Sequence, residues 1–243
     1  MAERDQTAIA APGDPASTGG RSSRVTVELV YRAITNNEMD ALDSYIRQGL
    51  HLEAEKQGKS PLIFAIEKGK TAAALKLIEA GSNPDMQDSA QRTPLMLALP
   101  LGMNTVIERL LEKGAGLSLA DKFNKTAADY ARACDNSRGL QLVYKHLNAD
   151  ELRDELFKAI EDENTTVLRY LVEQAGVDFM GARNAKGQSP LEAADLLLNL
   201  DLSEYLTAKI ESCGADAAKA VLDGTRDDVK AMKKIAIAPK SKI

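Results

Sequence analysis

The fold is decided by a short pattern at residues 60–69, with the sequence SPLIFAIEKG, that runs on to Gly81. The pattern returns 33 residues later as TPLMLA at residues 93–98. Weaker copies in the same register are TAADYA at residues 126–131 and SPLEAA at residues 189–194. A pattern that repeats about every 33 residues predicts a stacked array of similar structural units.

The residue types of one copy indicate an antiparallel pair of helices. Ser60 and Thr93 each precede a proline, so the hydroxyl can cap a helix whose first residue has no N–H to lose. Gly69 suits the left-handed exit from that helix, and Leu77 and Ile78 supply apolar positions on a second helix. Because the apolar face of one helix pair is too small to be stable alone, we expect the pairs to stack.

An alanine in the first helix marks each unit. Apolar residues follow Ala65 at about +8, +9, +12 and +13, and the same rule finds units at Ala33, Ala98, Ala131, Ala159 and Ala194, with a partial unit at Ala220. The step between Ala131 and Ala159 is short, because residues 148–151 are too few to form a hairpin. The rule predicts that five leucines lie buried between units: Leu77, Leu110, Leu111, Leu168 and Leu171.

The Ser/Thr-Pro-Leu segments at residues 60–62 and 93–95, with their glycine and Leu-Leu spacing, resemble the ankyrin repeat. The resemblance covers roughly residues 25–235. It implies an all-α fold, an ankyrin-like repeat solenoid of antiparallel helix pairs with short β-turn fingers, about six repeats and a C-terminal half-repeat cap. The sequence departs from the family where a histidine usually follows Thr-Pro-Leu, since it has Ile63, Met96, Asp129 and Glu192 there.

The segments outside the array have a different composition. Residues 1–24 are rich in Ala, Gly, Pro, Ser and Thr, which predicts a disordered leader, with a bacterial export signal as the alternative. Residues 236–243 predict a disordered basic tail that is not a nucleic-acid arm, because its lysines lack interleaved aromatic residues. The sequence has no secretory signal and no apolar run of about 18 residues, so we expect no membrane span.

Charge and cysteine content limit the function classes. The net charge is −5, and residues 225–243 carry +4 while residues 1–24 are neutral, which leaves −9 on the array. That balance argues against general nucleic-acid binding. The two cysteines, Cys134 and Cys213, fall in different units and indicate a reducing compartment rather than a disulfide framework.

The connectors between units are predicted to be projecting β-turn fingers at residues 56–59, 89–92, 122–125 and 185–188. Each follows a residue that we interpret as holding the turn together: Glu55, Asp88, Asp121 or Asn184. A rigid scaffold leaves such loops available for function.

Residues suited to catalysis are scarce. The chain has two histidines, His51 and His146, and none of the metal-binding or phosphate-binding motifs. Cys134 and His146 could meet within one unit, but two ligands do not form a zinc site. We interpret Asp129 and Glu192 as carboxylates that serve helix N-termini. An enzyme with a site in the irregular units 4–6 stays open as an alternative, and no cofactor is expected.

Basic residues cluster at the finger and inner-helix positions of this acidic chain. We therefore expect a non-catalytic module that binds another protein, through an acidic segment, at Lys56, Gln57, Lys59, Lys68, Arg92, Leu101, Lys122, Phe123, Lys125 and Arg132. The apolar run at residues 196–198 is the alternative surface. We expect a monomeric cytoplasmic protein, with an effector exported by a bacterium into a host cell as the alternative.

Overall fold

The computed structural model describes residues 26–213, which form twelve helices arranged as six antiparallel pairs. The pairs are α1 (Val27–Asn36) with α2 (Met39–Arg47), α3 (Pro61–Glu67) with α4 (Thr71–Glu79), α5 (Pro94–Ala98) with α6 (Asn104–Glu112), α7 (Ala127–Ala133) with α8 (Ser137–Tyr144), α9 (Ala149–Glu161) with α10 (Thr165–Glu173), and α11 (Pro190–Leu196) with α12 (Leu200–Ser212). We number these pairs as units 1 to 6. The predicted all-α repeat solenoid is therefore confirmed.

The units stack through two layers of helices. In the inner layer α1 packs on α3, α3 on α5, α5 on α7, and α9 on α11; in the outer layer α2 packs on α4, α4 on α6, and α6 on α8. The anchor alanines of all six units are completely buried. So are Leu77, Leu110, Leu168 and Leu171, and Leu111 is 6% exposed, which confirms the burial predicted for these leucines.

Side-chain caps begin the inner helices at the predicted residues. The hydroxyls of Ser60 and Thr93 accept hydrogen bonds from the third residue of α3 and α5. Asp129 accepts from the Thr126 amide at 2.8 Å, and Glu192 accepts from the Ser189 amide at 2.6 Å, each within a capping box. The structure thus confirms that these two carboxylates serve helix N-termini.

The connector between units 4 and 5 differs from the others. Helix α8 ends at Tyr144 and α9 begins at Ala149, where Asn148 caps it. Helix α9 has 13 residues, and no finger separates it from α8. The close packing of inner helix on inner helix and of outer helix on outer helix is not continued across this connector, and the finger row is interrupted as well.

Three predictions lie outside the described residues: the leader at residues 1–24, most of the partial unit around Ala220, and the tail at residues 236–243. Within residues 26–213, no helix combines the length and apolar character needed to cross a membrane.

Candidate interaction surface

Three of the four fingers are held by a turn acid or amide, as the sequence predicts. The Oδ1 of Asp88, Asp121 and Asn184 each accepts two backbone hydrogen bonds from its own turn, at 2.8–3.0 Å. Burial opposes the charged form of Asp88, but hydrogen bonds from Arg92 and the turn amides outweigh it and hold the pKa below its usual range. These side chains make the fingers rigid.

The first finger is held in another way. The Tyr31 hydroxyl, from α1 of the preceding unit, donates to the Lys59 carbonyl and accepts from the Lys56 amide at 3.3 Å. Burial raises the pKa of this hydroxyl to about 12, although the hydrogen bond from the Lys56 amide acts in the opposite direction. Glu55 is exposed and makes none of these bonds, so its predicted role in the turn is not confirmed.

Neighbouring fingers are linked to each other. The Lys122 amide donates to the Ala90 carbonyl at 3.1 Å, and Gln87 Nε2 donates to the Ala120 carbonyl at 3.3 Å. These bonds join the second and third fingers across the unit boundary. The second and third fingers therefore present their tips as one surface.

An open cleft of about 410 Å³ lies between α1, the first finger and α3. Tyr31 and Phe64 line it with their rings 4.6 Å apart. Four predicted site residues also line it, namely Lys56, Gln57, Lys59 and Lys68, together with Arg32. We call it the aromatic cleft; its volume is within the range of small ligand sites.

The predicted basic residues divide into paired and unpaired groups. Glu67 binds Lys59 at 2.6 Å and Arg92 at 3.4 Å, and Arg92 also binds Asp88 at 2.6 Å. Lys56 makes one long contact with exposed Glu28 at 3.9 Å. Within residues 26–213, Lys68, Lys122 and Lys125 make no ion pair, and they remain exposed.

The two predicted apolar contacts lie at different ends of their units. Phe123, at the tip of the third finger, is 71% exposed, with Lys122 Nζ 5.2 Å from its ring centroid. Leu101 is 51% exposed, but it follows α5 in the turn to α6, at the opposite end of the inner helix from the finger. The structure therefore groups Phe123 with Lys122 and Lys125, whereas Leu101 lies in the turn that Lys68 occupies in unit 2.

Arg132 lies in an ion-pair network between units 4 and 5, with 10% of its side chain exposed. It contacts Glu155, binds Asp162 at 2.7 Å and binds Asp129 at 2.8 Å. Lys158 binds Glu155 at 2.9 Å, and the buried Tyr144 hydroxyl donates to Glu155 at 2.9 Å. The repeat pattern does not predict this network, because Glu155 precedes the anchor of a unit that is out of the 33-residue register.

The network favours the ordinary protonation states of Arg132, Lys158, Asp129 and Tyr144. Burial opposes the charged forms of Arg132, Lys158 and Asp129, but their partners outweigh it, raising the pKa of both bases and lowering that of Asp129. Burial and Glu155 raise the pKa of Tyr144. A general acid or base needs a pKa near neutrality. Within the described residues no three potential metal ligands form a group.

A helical solenoid with a row of rigid fingers and an open inner face is the architecture of a binding scaffold. The family model for "Ankyrin repeats (3 copies)" matches residues 29–121 and, overlapping them, residues 62–155. The chain belongs to the ankyrin-repeat family, whose repeats are generally protein–protein interaction modules. No curated protein sequence matches it as a relative.

Solved ankyrin structures share this fold. The ankyrin repeat domain of Bcl-3, a member of the IκB protein family, is 21% identical, with a TM-score of 0.62 over 77% of this chain and 86% of its own. An ankyrin repeat domain from Acinetobacter baumannii AYE is 20% identical, with a TM-score of 0.58 over 74% and 96%. A chain in the complex of the predatory endopeptidase Bd0816 with the immunity protein Bd3460, from Bdellovibrio bacteriovorus, is 20% identical, with a TM-score of 0.55 over 76% and 100%. At these identities the likeness concerns the fold alone.

Proposed function

We propose that this protein is a non-catalytic module that binds an acidic segment of a partner protein across units 1–4. The binding face is the finger surface, which we define as the exposed side chains of Lys56, Gln57, Lys68, Lys122, Phe123 and Lys125 beside the aromatic cleft. The observation that carries the proposal is the exposure of Phe123 among lysines on a rigid finger.

An exposed aromatic ring on a rigid turn is suited to a binding contact. Phe123 has no core to enter, and its finger is already fixed by Asp121 and by the bond from Lys122 to Ala90. Little conformational entropy is then lost when a partner covers the ring. Aromatic residues near the centre of an interface commonly supply much of its binding energy.

The charge of the finger surface opposes that of the rest of the array. Lys56, Lys68, Lys122 and Lys125 face outward, although the array as a whole carries −9. A local positive patch on an acidic protein attracts acidic partners and speeds their association.

The remaining predicted residues take supporting places in this proposal. Lys59 and Arg92 both bind Glu67 and so hold the side of the aromatic cleft in place. Arg132 holds unit 5 against unit 4, the unit that follows the third finger. Leu101 is an outlying contact for a partner that extends past the inner helix of unit 3.

The absence of catalysis is part of the proposal. The carboxylates that stand at the family's histidine position are engaged in helix caps, and the shifts of pKa in units 4–6 move away from neutrality. Both observations favour a scaffold over the enzyme considered as an alternative. We also assign the protein to the cytoplasm, since Cys134 and Cys213 are both unpaired thiols. We propose that it acts as a monomer.

Capture with matched baits tests the proposed surface. Three baits are immobilised and exposed to the same lysate. They are the unchanged chain, the Phe123→Ala variant, and a variant that combines Lys56→Glu with Lys122→Glu. A partner of the finger surface is retained by the unchanged chain and lost at least about tenfold from both variants, since an interface hot spot is worth about 2 kcal/mol or more. Its association rate falls in high salt because charge steers the encounter.

The control variant is Lys113→Glu combined with Lys145→Glu. These exposed lysines follow the outer helices α6 and α8, so the charge change equals that of the finger variant but lies away from the fingers. Retention unchanged by the control supports the proposal. Equal retention by all the baits contradicts it.

A further inference from the structure

The turn between α11 and α12 exposes a cluster of leucines. Leu196 is 45% exposed, Leu197 42%, Leu198 75% and Leu200 73%. Within residues 26–213 six large apolar side chains are exposed, and four of them lie here. We call residues 196–200 the leucine turn. Contiguous exposed apolar side chains commonly mark a surface that something else covers.

Leu198 has a backbone conformation that is unfavourable for leucine, so the stability of its own unit does not account for a leucine at this position. Its φ is 57°, in the left-handed region. The equivalent residues of other units are Asn37, Gly69, Gly102 and Glu163, with φ between 54° and 64°. Glycine and asparagine adopt this conformation readily, whereas leucine does so at a cost in free energy. An unfavourable and exposed leucine needs a reason outside its own unit.

A further stacked unit would not cover the position of Leu197 in the leucine turn. The residues that correspond to Leu197 in units 1, 2, 3 and 5 are Asn36, Lys68, Leu101 and Asp162. Each of these units is followed by a neighbour, yet all four residues remain exposed. This position projects from the edge of the stack, so the cover of Leu197 must come from elsewhere.

Carboxylates surround the leucine turn. Asn199 donates to Glu163 at 2.9 Å, which places the turn of unit 5 alongside. Asp195 and Asp201 flank the leucines, and neither they nor Glu163 make an ion pair within residues 26–213. An occupant must therefore be both apolar and basic. A second copy of the same turn would bring like charges together.

The chain itself contains a segment of this composition. Residues 233–243, KKIAIAPKSKI, have four lysines, three isoleucines and no acidic residue. We propose that residues 233–243 dock on the leucine turn of the same chain. The isoleucines cover the leucines, and the lysines face the surrounding carboxylates.

The length of the chain permits this contact. Helix α12 has 13 residues and so spans about 20 Å from the leucine turn to its end. Lys233 is twenty residue steps from Cys213, and a chain of that length can extend over as much as about 66 Å. A tether of this kind gives an effective concentration in the millimolar range, so a weak contact suffices.

Trypsin cleavage after Lys234 in the whole chain measures docking. Cleavage of a protected site follows the population of the open state, so a segment docked for four-fifths of the time is cut about fivefold more slowly. We expect Leu197→Ser with Leu198→Gly to abolish that protection, because glycine suits the backbone of residue 198. We expect Asp195→Asn with Asp201→Asn to reduce it, and high salt to reduce it in the unchanged chain.

The control is Leu101→Ser, which removes an exposed leucine from the corresponding turn of unit 3 and should leave cleavage unchanged. Equal cleavage rates in the unchanged chain and in both turn variants would overturn the proposal. Protection that disappears on dilution would place the segment on a second copy and contradict docking within one chain. These outcomes do not depend on the finger surface.

Discussion

The junction between units 2 and 3 and the junction between units 4 and 5 join similar helix pairs by different means. In units 2 and 3, α3 packs on α5 and α4 on α6, and Leu62, Ile66, Leu95 and Leu99 are completely buried. Between units 4 and 5 the finger is missing. The contacts that cross there include the ion pairs of Arg132 with Glu155 in α9 and with Asp162, which follows the end of α9.

The difference shows what a lost finger changes in a repeat array. Apolar burial is not directional, so the first junction tolerates small shifts of its helices. The second junction depends on the geometry of Arg132, Glu155 and Tyr144, and a buried charge that loses its partner is costly. We therefore expect the two halves of the array to respond differently to substitution and to pH.

The largest expected effect follows from Arg132→Met. This change leaves the buried Glu155 carboxylate without its arginine, and breaking a buried ion pair in this way costs about 4 kcal/mol. Urea unfolding measures the loss. Adding Glu155→Gln removes the buried charge that only Lys158 is then left to balance, but keeps an acceptor for Tyr144, so we expect part of the stability to return. A double variant no more stable than Arg132→Met would contradict this explanation.

The next effect concerns the apolar junctions. Leu110→Ala empties a completely buried site in α6 and should cost about 3 kcal/mol. The loss should be independent of salt and of pH between 5 and 8, because no charged group is involved. Leu101→Ala, at an exposed position in the same unit, is the control and should change stability little. A salt-dependent loss at Leu110 would contradict the distinction between the junctions.

Acidification should loosen the second junction first. The pKa of folded Asp129 lies below its ordinary value of 3.8, so its charged form stabilises the fold above that value and the contribution is lost as the pH falls through the folded pKa. Amide exchange, corrected for intrinsic rates, should accelerate in α7 and α9 at pH 3 relative to pH 6. Helices α4 and α6 should keep their protection; equal acceleration in all four helices would refute the prediction.

The smallest expected effect compares one backbone position in units 2 and 5. Gly69 has φ of 64°, and Glu163 has φ of 54° at the equivalent position. Gly69→Ala should destabilise by about 1 kcal/mol, through the backbone alone, because a methyl group there would meet no atom within 4 Å. Glu163→Gly should stabilise by a few tenths of a kcal/mol, since its side-chain bond to Asn199 is exposed. Thermal unfolding of both variants checks the signs.

Much of the scaffold could be predicted because its signals are local. The cap at Ser60, the buried anchor Ala65 and the turn acid Asp88 each depend on residues within a few positions along the chain. A period of 33 residues then carries the same assignments to the neighbouring units. Exposure of Phe123 could be predicted for the same reason, since a finger tip offers no core.

The contacts between units could not be read in this way. Tyr31 holds a finger 25 to 28 residues away, and it replaces Glu55 in that role. Arg132 occupies a position that usually varies on the inner face, but the short connector before α9 brings Glu155 against it. A pattern of single positions cannot reveal a pair whose spacing departs from the repeat.

The most direct test of two kinds of junction is amide exchange, resolved by segment, in the whole chain with Arg132→Met or with Leu110→Ala. Because each unit contacts its neighbours alone, the loss of protection should remain local. We predict that Arg132→Met loosens α7 to α10 and leaves α3 to α6 protected, whereas Leu110→Ala loosens units 2–4 and leaves α9 to α12 protected. A uniform loss over all twelve helices in both variants would contradict the account.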